Sequence, residues 1–280
     1  MTFSIIALDK ETGELGIAVQ SKFPAVGSIV PWISLDGGAI ATQALANIRY
    51  GTQGLKLLAS GATARQTLDI LLENDPLNSQ RQVGIVDLKG NSVSFTGSDC
   101  YPWAGGKTAE AVAVQGNILV GEEVVEKMLD TFLKTDGDLA EKLMCALESG
   151  QKAGGDKRGQ QSAHLKILKK GSGYDGSDIY VDVRVDDHPN ATFELRRVFD
   201  LYSLTLLERE DPNDITKLTD DLYWKIGEKL YEIHFLERKP ENIDEIIPAF
   251  IQWLHIQNYE NKERNDGYVW NSILDFLFSL

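Results

Sequence analysis

Apolar residues in this chain arrive first in short runs and only later at helical spacing. Residues 3–8 and 15–20 are β-favourable, and Asp9-Lys10-Glu11-Thr12-Gly13-Glu14 between them reads as a turn, so the pattern predicts a hairpin. Residues 29–35 and 39–44 flank Asp36-Gly37-Gly38 and predict a second hairpin. Two helices follow, over 51–59 and from Ala62-Thr63 to Asn74-Asp75-Pro76, the second with Leu68, Leu71 and Leu72 on its apolar face. Strands return at 82–87, 92–96 and 111–115. Val124, Val125, Met128, Leu129 and Phe132 mark a helix over 122–134, and Leu139, Leu143, Ala146 and Leu147 another over 138–150. Strands at 163–168 and 180–185 and a helix from Thr192 to about Tyr202 complete the series. Most of the strand pairs are hairpins, so the sheets are expected to be antiparallel. Two such sheets with helices outside make a four-layer αββα sandwich.

The rest of the chain changes character. Residues 203–280 hold 11 of the 24 aromatic residues but only 2 of the 25 glycines, and carry 8 basic against 16 acidic side chains. The shift marks a second, small and mainly α-helical domain, with helices at 221–232, 242–255 and 269–277. The division expected is 1–205 and 206–280, with a polar connection around Asp211-Pro212.

Net charge is −14, which argues against a nucleic-acid partner, because phosphate binding needs a basic face. No apolar run is long enough for a membrane span, and the start of the chain lacks a signal-peptide pattern, so a cytoplasmic protein without a membrane partner is expected. Cys100 and Cys145 are the only cysteines, too few for a disulfide scaffold or a zinc cluster. Asp186-Asp187-His188 reads as a capped turn before Pro189, since neighbours on a strand point to opposite faces. No metal and no cofactor is expected.

Thr2 carries the chemistry. With Met1 removed, a hydroxyl and a free α-amine share this residue, and an α-amine titrates at about 7.7–8.0. A Thr activated by its own amine is an established solution for a weak nucleophile. Ser4 shares the face of Thr2 on a strand and is placed to assist proton transfer or to pack as a bonded hydroxyl. Gly154-Gly155-Asp156-Lys157-Arg158-Gly159 separates a helix from a strand. Asp156 and Arg158 are candidates to orient the amine and to bind a substrate carboxylate; the alternative is a glycine cap with a local ion pair. Gln43 and Asn117 are candidates for holding a carbonyl or an oxyanion, or for shaping turns.

Seven stretches resemble one family. They are residues 2–7, 14–19 and 41–47 (Ala-Thr-Gln-Ala-Leu-Ala-Asn), 81–87, 115–119 (Gln-Gly-Asn-Ile-Leu), 154–163 and 185–189. In this order they resemble the DUF1028 family, which is similar to N-terminal nucleophile (Ntn) hydrolases. The resemblance implies the αββα Ntn fold and leaves the substrate undefined. It puts Ser21, with Lys22, at the strand end beside the nucleophile. Gln20 stands where related proteasome subunits carry an orienting acid, and no counterpart of their buried lysine is evident, which argues against a proteasome-like peptidase mechanism. Residues from about 205 resemble a domain labelled peptidoglycan-binding that follows DUF1028 in some members. Its Trp224, Trp253, Tyr259 and Trp270 are candidates to stack on sugar rings or to form the core of a small domain.

The expected protein is an amidohydrolase acting on an amide or ester of a small molecule or peptide. Thr2 and Ser4 would be catalytic, and Ser21, Gln43, Asn117, Asp156 and Arg158 would bind substrate. The alternative is a catalytically silent binding protein for a small metabolite or a peptidoglycan fragment. A homodimer is plausible through sheet-edge burial.

Overall fold

The computed structural model describes residues 2–280. Thr2–Leu8 (β1) and Leu15–Ser21 (β2) form the first hairpin, with Thr2 opposite Ser21 and Leu8 opposite Leu15. Pro31–Ser34 (β3) and Gly38–Ala44 (β4) form the second. Ile48–Ala59 (α1) and Ala64–Glu73 (α2) follow. Arg81–Asp87 (β5) and Ser92–Thr96 (β6) then pair with one another, as do Gly105–Ala109 (β7) and Val112–Asn117 (β8). Glu123–Lys134 (α3) and Leu139–Lys152 (α4) precede Ser162–Leu168 (β9) and Ile179–Val185 (β10). Ala191–Leu206 (α5) comes next, and two compact units divide within it, between Val198 and Phe199.

The first unit is the four-layer αββα sandwich. One sheet runs β10-β9-β2-β1-β8-β7 and the other β3-β4-β5-β6, with every pairing antiparallel. Helices α3 and α4 cover the first sheet and α1 and α2 the second. β1 is therefore buried on both faces, which is why its sequence is a nearly continuous apolar run instead of an alternation. Alternation still decides where each side chain goes. Ile6, Leu8, Ile17, Val19, Ala39, Ala41 and Val86 meet between the sheets. Phe3 points the other way, toward Gly150 at the end of α4.

Four elements depart from the sequence reading, one of them a short unread strand at residues 215–217. Helix α1 starts at Ile48 instead of residue 51, because the Asn47 side chain caps it by accepting from the Arg49 N–H. β7 went unread because Gly105-Gly106-Lys107-Thr108 has no apolar signal; pairing with β8 makes it a strand. At the C-terminus, Val269 and Trp270 belong to a strand and not to a helix.

The second unit contains Ile215–Lys217 (β11), Asp220–Glu232 (α6), Ile243–Ile256 (α7), Tyr268–Trp270 (β12) and Asn271–Ser279 (α8). β11 and β12 pair antiparallel, with Ile215 opposite Trp270. Trp253 is fully buried at the centre, stacked on Phe250 at 6.0 Å between ring centroids and flanked by Tyr259 and Phe276. So small a unit needs such large apolar payloads to hold together. Among the described residues, no helix is long and apolar enough to cross a membrane.

Candidate functional site

The layer between the two sheets is hydrocarbon at one end and amide at the other. Toward Thr2, successive inward-facing positions are Ser4 on β1, Gln43 on β4, Gln82 on β5, and Gln115 and Asn117 on β8. All are buried. Ser4 Oγ donates to Gln43 Oε1 at 2.7 Å, and Gln115 Nε2 donates to Ser4 Oγ at 2.7 Å. Gln82 Oε1 accepts from Gln43 Nε2 and from Asn117 Nδ2, each at 2.8 Å, while Gln82 Nε2 donates to the Gly116 carbonyl at 2.7 Å and to Thr96 Oγ1 at 2.9 Å. Gly84 leaves room for this network: a Cβ there would lie 2.1 Å from Gln115 Oε1.

A buried donor without an acceptor costs about 1–3 kcal/mol, so the network stands or falls with its central member. Gln82→Ala should destabilise the first unit by about 2–4 kcal/mol, because Gln43, Asn117 and the Gly116 carbonyl all lose a partner at once. Urea unfolding will check this; an unchanged midpoint would mean that the amides re-pair.

Thr2 caps the polar end. Its Oγ1 lies 3.0 Å from Ser21 Oγ, and its carbonyl accepts from Gln43 Nε2 at 3.2 Å. Sheet pairing puts Asn117 opposite it on β8. A pocket of about 120 Å³ opens beside it, lined by Thr2, Ser21, Gln43 and Arg158 with the apolar Phe23 and Val30. Its volume is below the roughly 300–1,000 Å³ of small-molecule sites, so it suits the reacting end of a ligand.

Arg158 reaches this pocket from the loop after α4. Gly154 and Gly155 both take positive φ, which lets the chain reverse and bring Asp156 against Leu119 as an isolated bridge. The Asp156 carboxylate is fully buried. It accepts from the Lys22 N–H at 3.1 Å and the Arg158 N–H at 2.8 Å, and pairs with the Arg158 guanidinium at 3.3 Å. Asp156 thus fastens the loop to the end of β2, while the Arg158 side chain remains about half exposed at the pocket.

The structure brings Thr2, Ser21, Gln43 and Arg158 to one pocket, with Asp156 behind Arg158. Ser4 and Asn117 lie deeper, in the amide network. The state of Met1, on which the nucleophile expectation turns, lies outside the described residues. Gln82 and Gln115 escaped the sequence reading. The available signal was a polar amide at an inward position of a buried strand.

Other candidates have local explanations. Burial pushes the Cys100 thiol pKa up, away from a reactive thiolate. Asp186 pairs with Arg184, and His188 Nδ1 accepts from the Asn190 N–H. In the second unit Trp253 and Tyr259 are core residues, and Arg264 lies over the Trp270 ring at 4.2 Å. A groove of about 220 Å³ there is lined by Tyr223, Phe250, Glu263, Arg264 and Tyr268.

Comparison with known proteins bears on both units. Residues 2–195 match a family model described as "Family of unknown function (DUF1028)". Residues 205–277 match one described as "Putative peptidoglycan binding domain". A crystal structure of a DUF1028 protein from Silicibacter pomeroyi is similar, with a TM-score of 0.66 and 26% sequence identity, covering 74% of this chain and 96% of the other. No curated protein matches.

Proposed function

The chain belongs to the DUF1028 family of unknown function, so its activity must be argued from its site, and we propose that it is an Ntn-type amidohydrolase. The observation that carries this reading is Thr2 Oγ1 on the wall of a pocket shared with Ser21 and the Asp156-anchored Arg158. The substrate is a small amide or ester carrying a carboxylate, which Arg158 binds. Thr2, freed of Met1, is the nucleophile.

In the first half-reaction the Thr2 α-amine takes the hydroxyl proton as Oγ1 bonds to the acyl carbon. The C–N bond then breaks, and the proton leaves with the amine product. Water hydrolyses the resulting ester by the same base and restores Thr2. Ser21 orients the hydroxyl, and Gln43 holds the Thr2 carbonyl so that the residue cannot swing. The Gln43 amide nitrogen already serves three acceptors, which suits positioning better than contact with an oxyanion. Among the described residues that line the pocket none is a carboxylate, and Asp156 behind Arg158 is committed to Arg158 and Lys22, which favours the amine as the base.

The experiment is to incubate the protein with N-acyl amino acids and their esters and to measure intact mass. Expected are the mass without Met1 and, with a slow ester, a transient adduct of one acyl group on Thr2. Retained Met1 in the active protein would sink the mechanism. The pH profile gives a second check. The base must be unprotonated, so kcat/KM should fall as pH drops through about 7.7–8.0 and level off above. A break in the carboxylate range instead would point to a different base.

The second domain, placed at 206–280, acts as an accessory module. Its family match supports a peptidoglycan fragment as ligand, and the groove beside Tyr223, Arg264 and Tyr268 offers aromatic and charged groups to one.

A further inference from the structure

A cavity several times larger than the pocket at Thr2 lies elsewhere in the first unit. It measures about 860 Å³ and lies between α1 and α2, on the opposite face of the second sheet. We propose that this cavity binds a small amphiphilic organic acid, with its carboxylate at Arg49 and Lys56 and its apolar body against Leu57, Ile70 and Leu71.

Its size falls in the roughly 300–1,000 Å³ range of small-molecule sites. Arg49, Gln53 and Lys56 stand at positions i, i+4 and i+7 of α1, so they form one stripe along the cavity wall. Arg49 and Lys56 are exposed, and neither has a carboxylate partner among the described residues. On a chain of net charge −14, two unpaired cations facing one cavity favour an anion there.

The acid in the wall does not oppose this. Asp75 is buried and accepts from Arg81 Nε at 2.8 Å, Asn47 Nδ2 at 3.0 Å and the Leu77 N–H at 2.9 Å. Its charge and lone pairs are taken, so the free charge of the cavity is positive. Leu71 is buried and Ile70 is exposed at the mouth, which gives the acid an apolar wall.

The test is isothermal titration calorimetry of the full chain with octanoate and phenylacetate, using octylamine as the charge-reversed probe. Expected is saturable one-site binding of at least one acid and none of octylamine. Binding should weaken at least tenfold in Arg49→Ala/Lys56→Ala, whose exposed side chains are dispensable for folding. Thr2→Ala should not weaken it. Neither acid binding saturably, octylamine binding equally well, or undiminished binding by the double variant would each overturn the proposal. So would a dimer in sedimentation that the double variant dissociates while neither acid binds, which would assign the cavity to a second copy of the chain.

Discussion

Thr2→Ala is expected to lower kcat at least about a thousand-fold while leaving KM nearly unchanged. The size follows from what is removed. A covalent route that divides amide cleavage into two easier steps is lost entirely when its nucleophile is gone, and no neighbouring group is placed to substitute. Ser21 is the nearest hydroxyl, at 3.0 Å, but it has no α-amine of its own to act as base. The fold should survive, since Thr2 is held by backbone pairing to Ser21 and Asn117 and its hydroxyl contributes only a single bond of about 1 kcal/mol. Thr2→Ser keeps both hydroxyl and amine and should retain activity within about tenfold. Steady-state kinetics on whichever amide or ester is turned over will check both variants. Equal turnover by Thr2→Ala would remove Thr2 from the chemistry and leave the pocket as a binding site.

Arg81→Met is expected to destabilise the first unit by about 3–5 kcal/mol at neutral pH, the cost of leaving a buried charge uncompensated. At about 2–4 °C per kcal/mol for a unit of this size, the fall in Tm is roughly 6–20 °C. In the native protein the hydrogen bonds from Arg81, helped by Asn47 and the Leu77 N–H, hold the Asp75 carboxyl well below the usual carboxylate range against the opposing cost of burial. A depressed carboxylate contributes stability that is present above its unfolded pKa of about 3.9 and is lost as pH falls through its folded value. In the variant Asp75 has lost its cation, and burial raises its pKa instead. Lowering pH from 7 toward 4 lets the variant neutralise Asp75 while the native protein still keeps its ion pair. The gap in Tm between the two should therefore narrow, and Asp75→Asn in the Arg81→Met background should restore part of the loss at pH 7. A gap independent of pH would show that the loss comes from packing and not from charge.

Residues 81 and 82 illustrate how much was legible in the sequence. The run Arg81-Gln82-Val83-Gly84-Ile85-Val86-Asp87 reads as a strand at sight, and alternation alone puts Arg81 and Gln82 on opposite faces. It does not say what each face meets. Arg81 turns outward to Asp75 under the helices, and Gln82 turns inward to Gln43 and Asn117. The amide bonds join residues 35 to 111 positions apart in the chain. No local period encodes a pairing at that distance.

The sequence by itself determined the succession of strands and helices in the first unit apart from β7, the turns of its first two hairpins, the change to an aromatic, glycine-poor second unit and the membership of the first unit in its family. These depend on local backbone preference and on the period of apolar positions, which neighbouring residues carry between them. It also placed Thr2 at the head of a buried strand. Only the tertiary structure decided that β7 is a strand, that Thr2 shares its pocket with an arginine from a loop more than a hundred residues away, and that three strands pool their amides beneath it. It alone revealed the cavity between α1 and α2. The physical reason is the same each time. A sheet edge, a buried hydrogen bond and a cavity are made by groups distant in sequence, and their free energy exists only once the layers have closed on one another.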